Sequence, residues 1–318
     1  MSQDILKFMN QQKLVKRINE IYHDWEAKYY LERHPEIFKQ ERNNWQKFAS
    51  KFFTSERAKR ILDVGCGTGF VPQVIGRYLT KDDEFFCSDI SSDMLETAKD
   101  NLSKNGYINK FYFLKGSIEE LNFEPESLDI VIINSVLHHL PDIEIFFKES
   151  NRILKPGGKL IIFHEPNKKF FQHSFLRNNF LLLQYIKNTV FKFRKNLRGR
   201  VSDKKEKEDI FDYINKILKQ EELISKDLDK TEIKQFVDYG SPTASGKIDK
   251  DRGFDINEIQ QQYLTNFSIL EFTTYNYLCK INHRSNLILT LYNYLLSRFW
   301  PKSGSSWGAI LEKNDTTN

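Results

Sequence analysis

Apolar and polar positions in this chain fall into two alternating rhythms, and the alternation begins near residue 60. Ile61-Leu62-Asp63-Val64 is a short strand-like run, Gly65, Gly67 and Gly69 interrupt it, and Val71, Val74, Ile75, Tyr78 and Leu79 then recur at helical spacing. That stripe belongs to a helix lying on a sheet. Phe85-Phe86-Cys87-Ser88 predicts a second buried strand ending in Asp89, and Ser91 or Ser92 caps a helix with Met94, Leu95, Ala98 and Leu102 on one side. Further strands are expected over Phe111–Leu114, Leu128–Asn134 and Leu160–Phe163, a sixth over Phe267–Leu278 and a short seventh over Trp307–Leu311. Strands and helices in this order predict the α/β class: a seven-stranded, mostly parallel sheet with helices on both faces.

The segments around that core read differently. Residues 1–57 look like an N-terminal helical lid, with Trp25, Tyr29, Tyr30, Trp45, Phe48 and Phe52 near helical spacing. Residues 58–165 hold the core, 166–262 a helical cap insertion on the substrate side, and 263–318 the last strands and helix. Within the insertion, Phe170–Phe193 and Ile210–Ile224 carry apolar residues at helical spacing, and 238–246 is a turn-rich loop.

The glycine turn has a chemistry of its own. Without Cβ the backbone takes positive φ and lets a ligand approach its amides, while the helix start supplies unpaired N–H groups. Asp89, 26 residues beyond Asp63, stands where a carboxylate accepts both hydroxyls of a ribose. A nicotinamide fingerprint needs a third glycine at position 70, which is Phe70. Asp63 suits a ligand with a free amino group and would repel a pyrophosphate.

Asp63-Val64-Gly65-Cys66-Gly67-Thr68-Gly69, Ser88-Asp89 with Met94-Leu95, Leu128–Leu140 and Leu154-Lys155-Pro156-Gly157-Gly158-Lys159-Leu160 stand in the order of the motifs of class I S-adenosylmethionine-dependent methyltransferases. The chain resembles that family over roughly residues 58–165, and most of all its members acting on small molecules, quinones and lipids. The resemblance implies a Rossmann-like fold whose seven-stranded sheet ends in an antiparallel strand, and S-adenosyl-L-methionine as cofactor. It places Gly65, Cys66 and Gly67 along the methionine part, Asp63 near the amino group, Asp89 on the ribose, Ile90 and Met94 beside adenine, and Asn134 beside the sulfonium. Ser117 stands where the family usually has Asp, so it offers the adenine amine a shorter, uncharged acceptor; the backbone N–H of Ile118 would still meet the ring.

Methyl transfer needs an in-line approach to the methyl group and, for an alcohol or phenol, a proton acceptor. Candidates lie where strands four and five end: His139, with His138 beside it, and His164 with Glu165. No metal is expected, because adjacent His side chains on a strand end diverge and no other pair has ligand spacing. Tyr22-His23-Asp24-Trp25 and Tyr29-Tyr30 either close over the cofactor or form lid core, and their faces would favour a sulfonium.

Composition fits one α/β domain with an appended subdomain: 318 residues, 40% hydrophobic. Cys66, Cys87 and Cys279 are too few and too dispersed for a disulfide framework, so a cytoplasmic protein is expected. No leader or anchor is visible near Met1, and no transmembrane segment either, since Ser285–Ser297 is shorter than the roughly 20 residues a span requires. The net charge of +5 is concentrated in Lys187, Lys192, Arg194, Lys195, Arg198 and Arg200. The 187–200 stretch is either a solvated helix end or a contact with an anionic surface: RNA, an acidic lipid headgroup or a phosphorylated substrate.

The function expected is transfer of a methyl group to an O, N or C atom of a small-molecule or lipid-like acceptor. The aromatic cap and Leu287, Leu291, Tyr294, Leu295 and Phe299 suggest a sizeable apolar or amphipathic one. Asn134-Ser135-Val136-Leu137, in place of an Asn-Pro-Pro-Tyr type motif, speaks against adenine-N6 or cytosine-N4 methylation of DNA and against glutamine methylation. The alternatives are an RNA-modifying methyltransferase, with nucleic acid the less favoured partner, and a cofactor-binding module without methyl transfer.

Overall fold

A computed structural model describes residues 3–30, 41–52, 59–105, 110–197, 209–245, 247–278 and 287–315. Among the described residues, α1 (Gln3–Ala27) and α2 (Arg42–Phe52) precede β1 (Arg60–Val64). The core continues through α3 (Phe70–Ile75), β2 (Glu84–Asp89), α4 (Ser92–Lys104), β3 (Lys110–Lys115), β4 (Leu128–Asn134), α5 (Ile143–Ile153) and β5 (Leu154–Pro166). Among the described residues, α6 (Lys168–Gln172), α7 (Ser174–Leu197), α8 (Ile210–Gln220), α9 (Lys230–Val237) and α10 (Ile256–Tyr263) follow. The chain then returns through β6 (Phe267–Tyr275), α11 (Leu287–Phe299) and β7 (Ser306–Lys313).

The seven strands lie in the order β3-β2-β1-β4-β5-β7-β6. β1 to β5 are mutually parallel, and β7 runs antiparallel to both β5 and β6. The order reverses between β1 and β4, which opens a crevice beyond their carboxyl ends. Buried apolar side chains cover both faces, as a parallel sheet requires. Phe146, Phe147, Ile256 and Ile259 pack on one face with Val131 and Ile133, and Trp45, Phe70, Val74 and Ala98 pack on the other with Ile61 and Ile132.

Three elements differ from the sequence pattern. The helix expected through Leu79 ends at Ile75 and tightens into a 3-10 turn over Gly76–Tyr78, because a buried glycine gives up helical preference at that point. The long helix expected over Phe170–Phe193 divides at the extended backbone of His173 into α6 and α7. β5 is also longer than its apolar run, since Leu154 already pairs with Leu128.

Lid and cap share one core. Ile18 and Ile21 of α1 pack against Ile210, Ile214 and Leu218 of α8 and Ile233 and Val237 of α9. A separate cluster joins α6, α7 and α11 through Phe170, Phe171, Leu176 and Leu296. Of the basic stretch 187–200, the helical backbone to Leu197 is described; the side chains of Lys187, Lys192, Arg194 and Lys195, and Arg198 and Arg200 entirely, lie outside the described residues, as does Cys279. No helix among the described residues is long and apolar enough to cross a membrane.

Candidate active site

The strand ends, the glycine turn and α1 enclose a cavity of about 950 Å³, at the upper end of the roughly 300–1,000 Å³ range of ligand pockets. Asp63, Gly65, Cys66, Gly67, Asp89, Ile90, Met94, Ser117, Ile118 and Asn134 all line it, as do His138, His139 and His164. Tyr22, His23 and Tyr30 contribute from the lid.

The glycine turn is shaped by neighbours on one side and left open on the other. Gly65 has φ +68°, and a Cβ there would fall 2.6 Å from the Val136 side chain. Gly67 has φ +52° with nothing within 4 Å of a Cβ position, so its backbone borders free space that a ligand can occupy. Asp89 fixes this loop: one carboxylate oxygen accepts from the Gly67 N–H at 2.9 Å and the other from the Ser91 N–H at 2.9 Å. Ser91 caps α4 by accepting from the Met94 N–H, and its hydroxyl donates to Asp24 of α1 at 2.6 Å.

Asp63 is the electrostatic centre. Only 1% exposed, it has no hydrogen-bond partner within the protein for either carboxylate oxygen. Burial, reinforced by the Asp89 charge, raises its pKa well above the carboxylate range. Burial raises Asp89 as well, against the pull of its N–H donors and His23. An orphaned carboxyl at this depth is costly unless a cation completes it. An α-ammonium group fits that requirement, so the donor set matches the amino-acid end of S-adenosylmethionine. Cys66 contributes backbone: its thiol is buried and pushed up by the Cys87 thiol and by burial, which leaves it unreactive.

Two expected residues are engaged elsewhere. Asn134 Oδ1 accepts from Trp45 Nε1 at 2.9 Å, which ties β4 to α2. Trp45→Phe should cost about 1 kcal/mol of stability through that bond, read as a lowered melting temperature; an unchanged value would mean the contact contributes nothing. The Ser117 hydroxyl lies 2.6 Å from Lys16 Nζ and donates to Glu119 at 2.6 Å, which leaves it little capacity for an adenine amine. Ser117→Ala should therefore change S-adenosylmethionine affinity by less than about twofold, and a tenfold loss on calorimetry would restore the direct contact.

Glu165 departs furthest from expectation. It is fully buried and lies outside the cavity lining. One carboxylate oxygen accepts from the Val136 and Leu137 N–H groups at 2.8 and 2.9 Å, and the other from the His138 N–H at 3.2 Å and His138 Nδ1 at 2.8 Å. A general base needs an accessible lone pair, and here four donors occupy the carboxylate. Burial lowers the His138 pKa, but the adjacent Glu165 charge outweighs it and the net shift is upward.

The remaining two histidines differ from each other. His139 Nδ1 lies within hydrogen-bond distance of the Val237 carbonyl. Burial, with His138 and His23 nearby, drives its pKa well down. His164 occupies a β-bulge, since Phe163 pairs with Gly308 and Glu165 with Trp307, and its φ is +60°. Non-glycine residues in this conformation are strained, and bulges redirect side chains. His164 Nδ1 sits 3.2 Å from Glu41 and 3.4 Å from the Tyr275 hydroxyl. Burial raises Glu41, but His164 pulls it lower overall, while burial and Glu41 together hold Tyr275 protonated. Glu41, Tyr275, Trp45 and Lys16 carry no short-range motif. Aromatic content and helical spacing marked Trp45 as part of the lid, but not its bond to Asn134.

Among the described residues, His138, His139 and Asp238 bring possible metal-ligand atoms within 4.8 Å of one another. Their Nδ1 atoms are already engaged by Glu165 and the Val237 carbonyl.

A family model described as a methyltransferase domain matches residues 62–162, the span that carries the turn, Asp63, Asp89 and the strand-four loop. These residues form a class I S-adenosylmethionine-dependent methyltransferase domain. Among curated relatives of the methyltransferase domain, a ubiquinone/menaquinone biosynthesis C-methyltransferase from Vibrio campbellii is 26% identical over 148 residues, 46% of this chain and 57% of that protein. The enzyme of the same name from Stutzerimonas stutzeri is 27% identical over 170 residues, 53% and 66% of the respective chains. The match to the Vibrio relative thus spans little more than half of its length. In fold, the chain resembles the Haloferax volcanii methyltransferase solved with the Trm112 methyltransferase activator, with a TM-score of 0.50 and 15% identity, covering 92% of this chain and 97% of that one.

Proposed function

We propose that the chain transfers the methyl group of S-adenosylmethionine to an O, N or C atom of a small-molecule or lipid-like acceptor by in-line displacement. The observation that carries the reading is the buried, unpartnered Asp63 carboxyl beside an open glycine turn. Asp63 would receive the ammonium, Asp89 the ribose hydroxyls, Ile90 and Met94 the two sides of adenine, and Gly65-Cys66-Gly67 the methionine chain. When bound, the cofactor supplies a methyl group already activated on a sulfonium, so the protein contributes chiefly position and exclusion of water.

For an acceptor that must lose a proton, we assign acceptance to His164, with Glu41 and Tyr275 as positioning residues. A carboxylate at one ring nitrogen orients an imidazole and stabilises the imidazolium that forms. His139, flanked by two other imidazoles and driven neutral, is the poorer acceptor. The names of the Vibrio and Stutzerimonas relatives favour a carbon of a quinone-type ring as the methylated atom. The cavity suits such a ring, because Phe171 and Phe180 line it beside the polar strand ends.

The test is incubation with methyl-labelled cofactor and two separate pools, reduced phenolic lipids and RNA. Label in the organic fraction is expected. Label in RNA would replace the acceptor class, and none in either would contradict transfer. His164→Asn should lower kcat about tenfold, less than the 10²–10⁴ of an indispensable base because phenols ionise readily. Cofactor affinity should stay unchanged, and equal loss of both would remove the assignment.

A further inference from the structure

α7 and α11 pack side by side, and both are apolar on the outside as well as the inside. Tyr292 donates to Asn179 at 2.9 Å, the Phe175 and Trp300 rings stack at 5.1 Å, and Leu176 and Leu296 lie in the shared core. Outward, Leu182 and Tyr185 of α7 are 56% and 70% exposed, and Leu287 and Phe299 of α11 are 85% and 70% exposed. Isolated exposed apolar residues are ordinary, but several large ones on two helices that pack together mark an interaction surface.

Charge identifies what meets that surface. Between Glu165 and Asp203, and again between Glu271 and Glu312, the sequence contains no Asp or Glu, although the chain has 43 of them. The same two stretches carry nine and four Lys or Arg residues. Two of these, Lys168 and Lys169, pair with Glu258 and Asp255, and the rest belong largely to α7, α11 and their flanks. Exposed Leu and aromatic residues on two helices whose sequences hold basic residues and no acid match the interface of an anionic bilayer. A second copy of the chain would bring cation against cation at such a face and is disfavoured.

We propose that the α7–α11 face docks this protein peripherally on anionic phospholipid membranes, with its apolar side chains in the headgroup region and its basic residues on the lipid charges. α7 also contributes Phe180 and Gln184 to the cavity, so the docked helix borders both bilayer and cavity. An amphipathic molecule held in the bilayer thereby has a path to the cavity along one helix. Docking stands independently of methyl transfer.

The full chain is sedimented with phosphatidylcholine vesicles, with and without roughly 30% phosphatidylglycerol, at low and high salt. Binding to the anionic vesicles that weakens with salt is expected, with binding to the neutral ones much weaker. Leu182→Asp with Leu291→Asp should lower binding about tenfold or more, and Tyr185→Asp alone several-fold, each with unchanged calorimetric affinity for S-adenosylmethionine. Failure of the unsubstituted chain to bind anionic vesicles, or binding indifferent to the substitutions, would overturn the proposal. So would a dimer, seen by ultracentrifugation, that these substitutions dissolve.

Discussion

Asp63→Asn should have opposite effects on cofactor affinity and on stability. Asparagine keeps the shape and loses the charge that a bound ammonium would meet. Removing one partner of a buried, hydrogen-bonded charge pair costs about 2–5 kcal/mol, so affinity for S-adenosylmethionine should fall about 100-fold or more. The ligand-free protein should nonetheless melt higher at neutral pH, because the fold no longer has to hold an unpartnered carboxyl in its protonated form while the unfolded chain ionises freely.

The pH dependence gives the sign. The folded-state pKa of Asp63 is raised, so the folded chain keeps a proton that the unfolded chain releases above about pH 3.9. Its stabilising contribution is complete below that value and is lost as pH rises through the folded pKa. Melting curves of the parent protein should lie nearer those of Asp63→Asn at acidic pH and diverge towards neutrality. Parallel curves with unchanged cofactor affinity would remove Asp63 from the site.

Glu165→Ala should be the most destabilising change among the residues considered. It leaves the Val136, Leu137 and His138 N–H groups and the His138 ring without their carboxylate. Each unsatisfied buried donor costs about 1–3 kcal/mol; with some donors reaching water, a total of about 3–5 kcal/mol is expected, roughly a 10 °C fall in melting temperature. Glu165→Gln should fall between the two. Its carbonyl can still accept from Val136 and Leu137, while its amide meets His138 donor against donor. A melting temperature that does not move, together with lost turnover, would return Glu165 to the role of base.

Glu165 also shows where sequence reading fails. An acid directly after a strand, following His164, looks accessible at the sheet's functional edge. The bulge at His164 inserts one residue against β7, and a one-residue shift exchanges the faces of a strand. His164 therefore lines the cavity and Glu165 turns inward, and no periodicity in Leu160–Phe163 announces the change. That Asp63, Gly67, Asp89, Ile90 and Met94 line the cavity was legible because their placement is local: a strand end, a turn demanding positive φ and the first turn of a capped helix. Lys16 and Glu41 reach the cavity from the lid and Trp45 reaches Asn134 behind it, all far away in sequence, and helical spacing says nothing of what they meet. Ser117 was visible as a departure from family pattern, but its bonds to Lys16 and Glu119 required the packed lid.

The most direct test is calorimetric titration of the purified chain with S-adenosylmethionine, its demethylated product and NAD. Saturable binding of the first two, absent for NAD and sharply weakened by Asp63→Asn, is the expected result. Binding of NAD alone, or of none of the three, would contradict the assignment of the cradle formed by Asp63, Gly67 and Asp89.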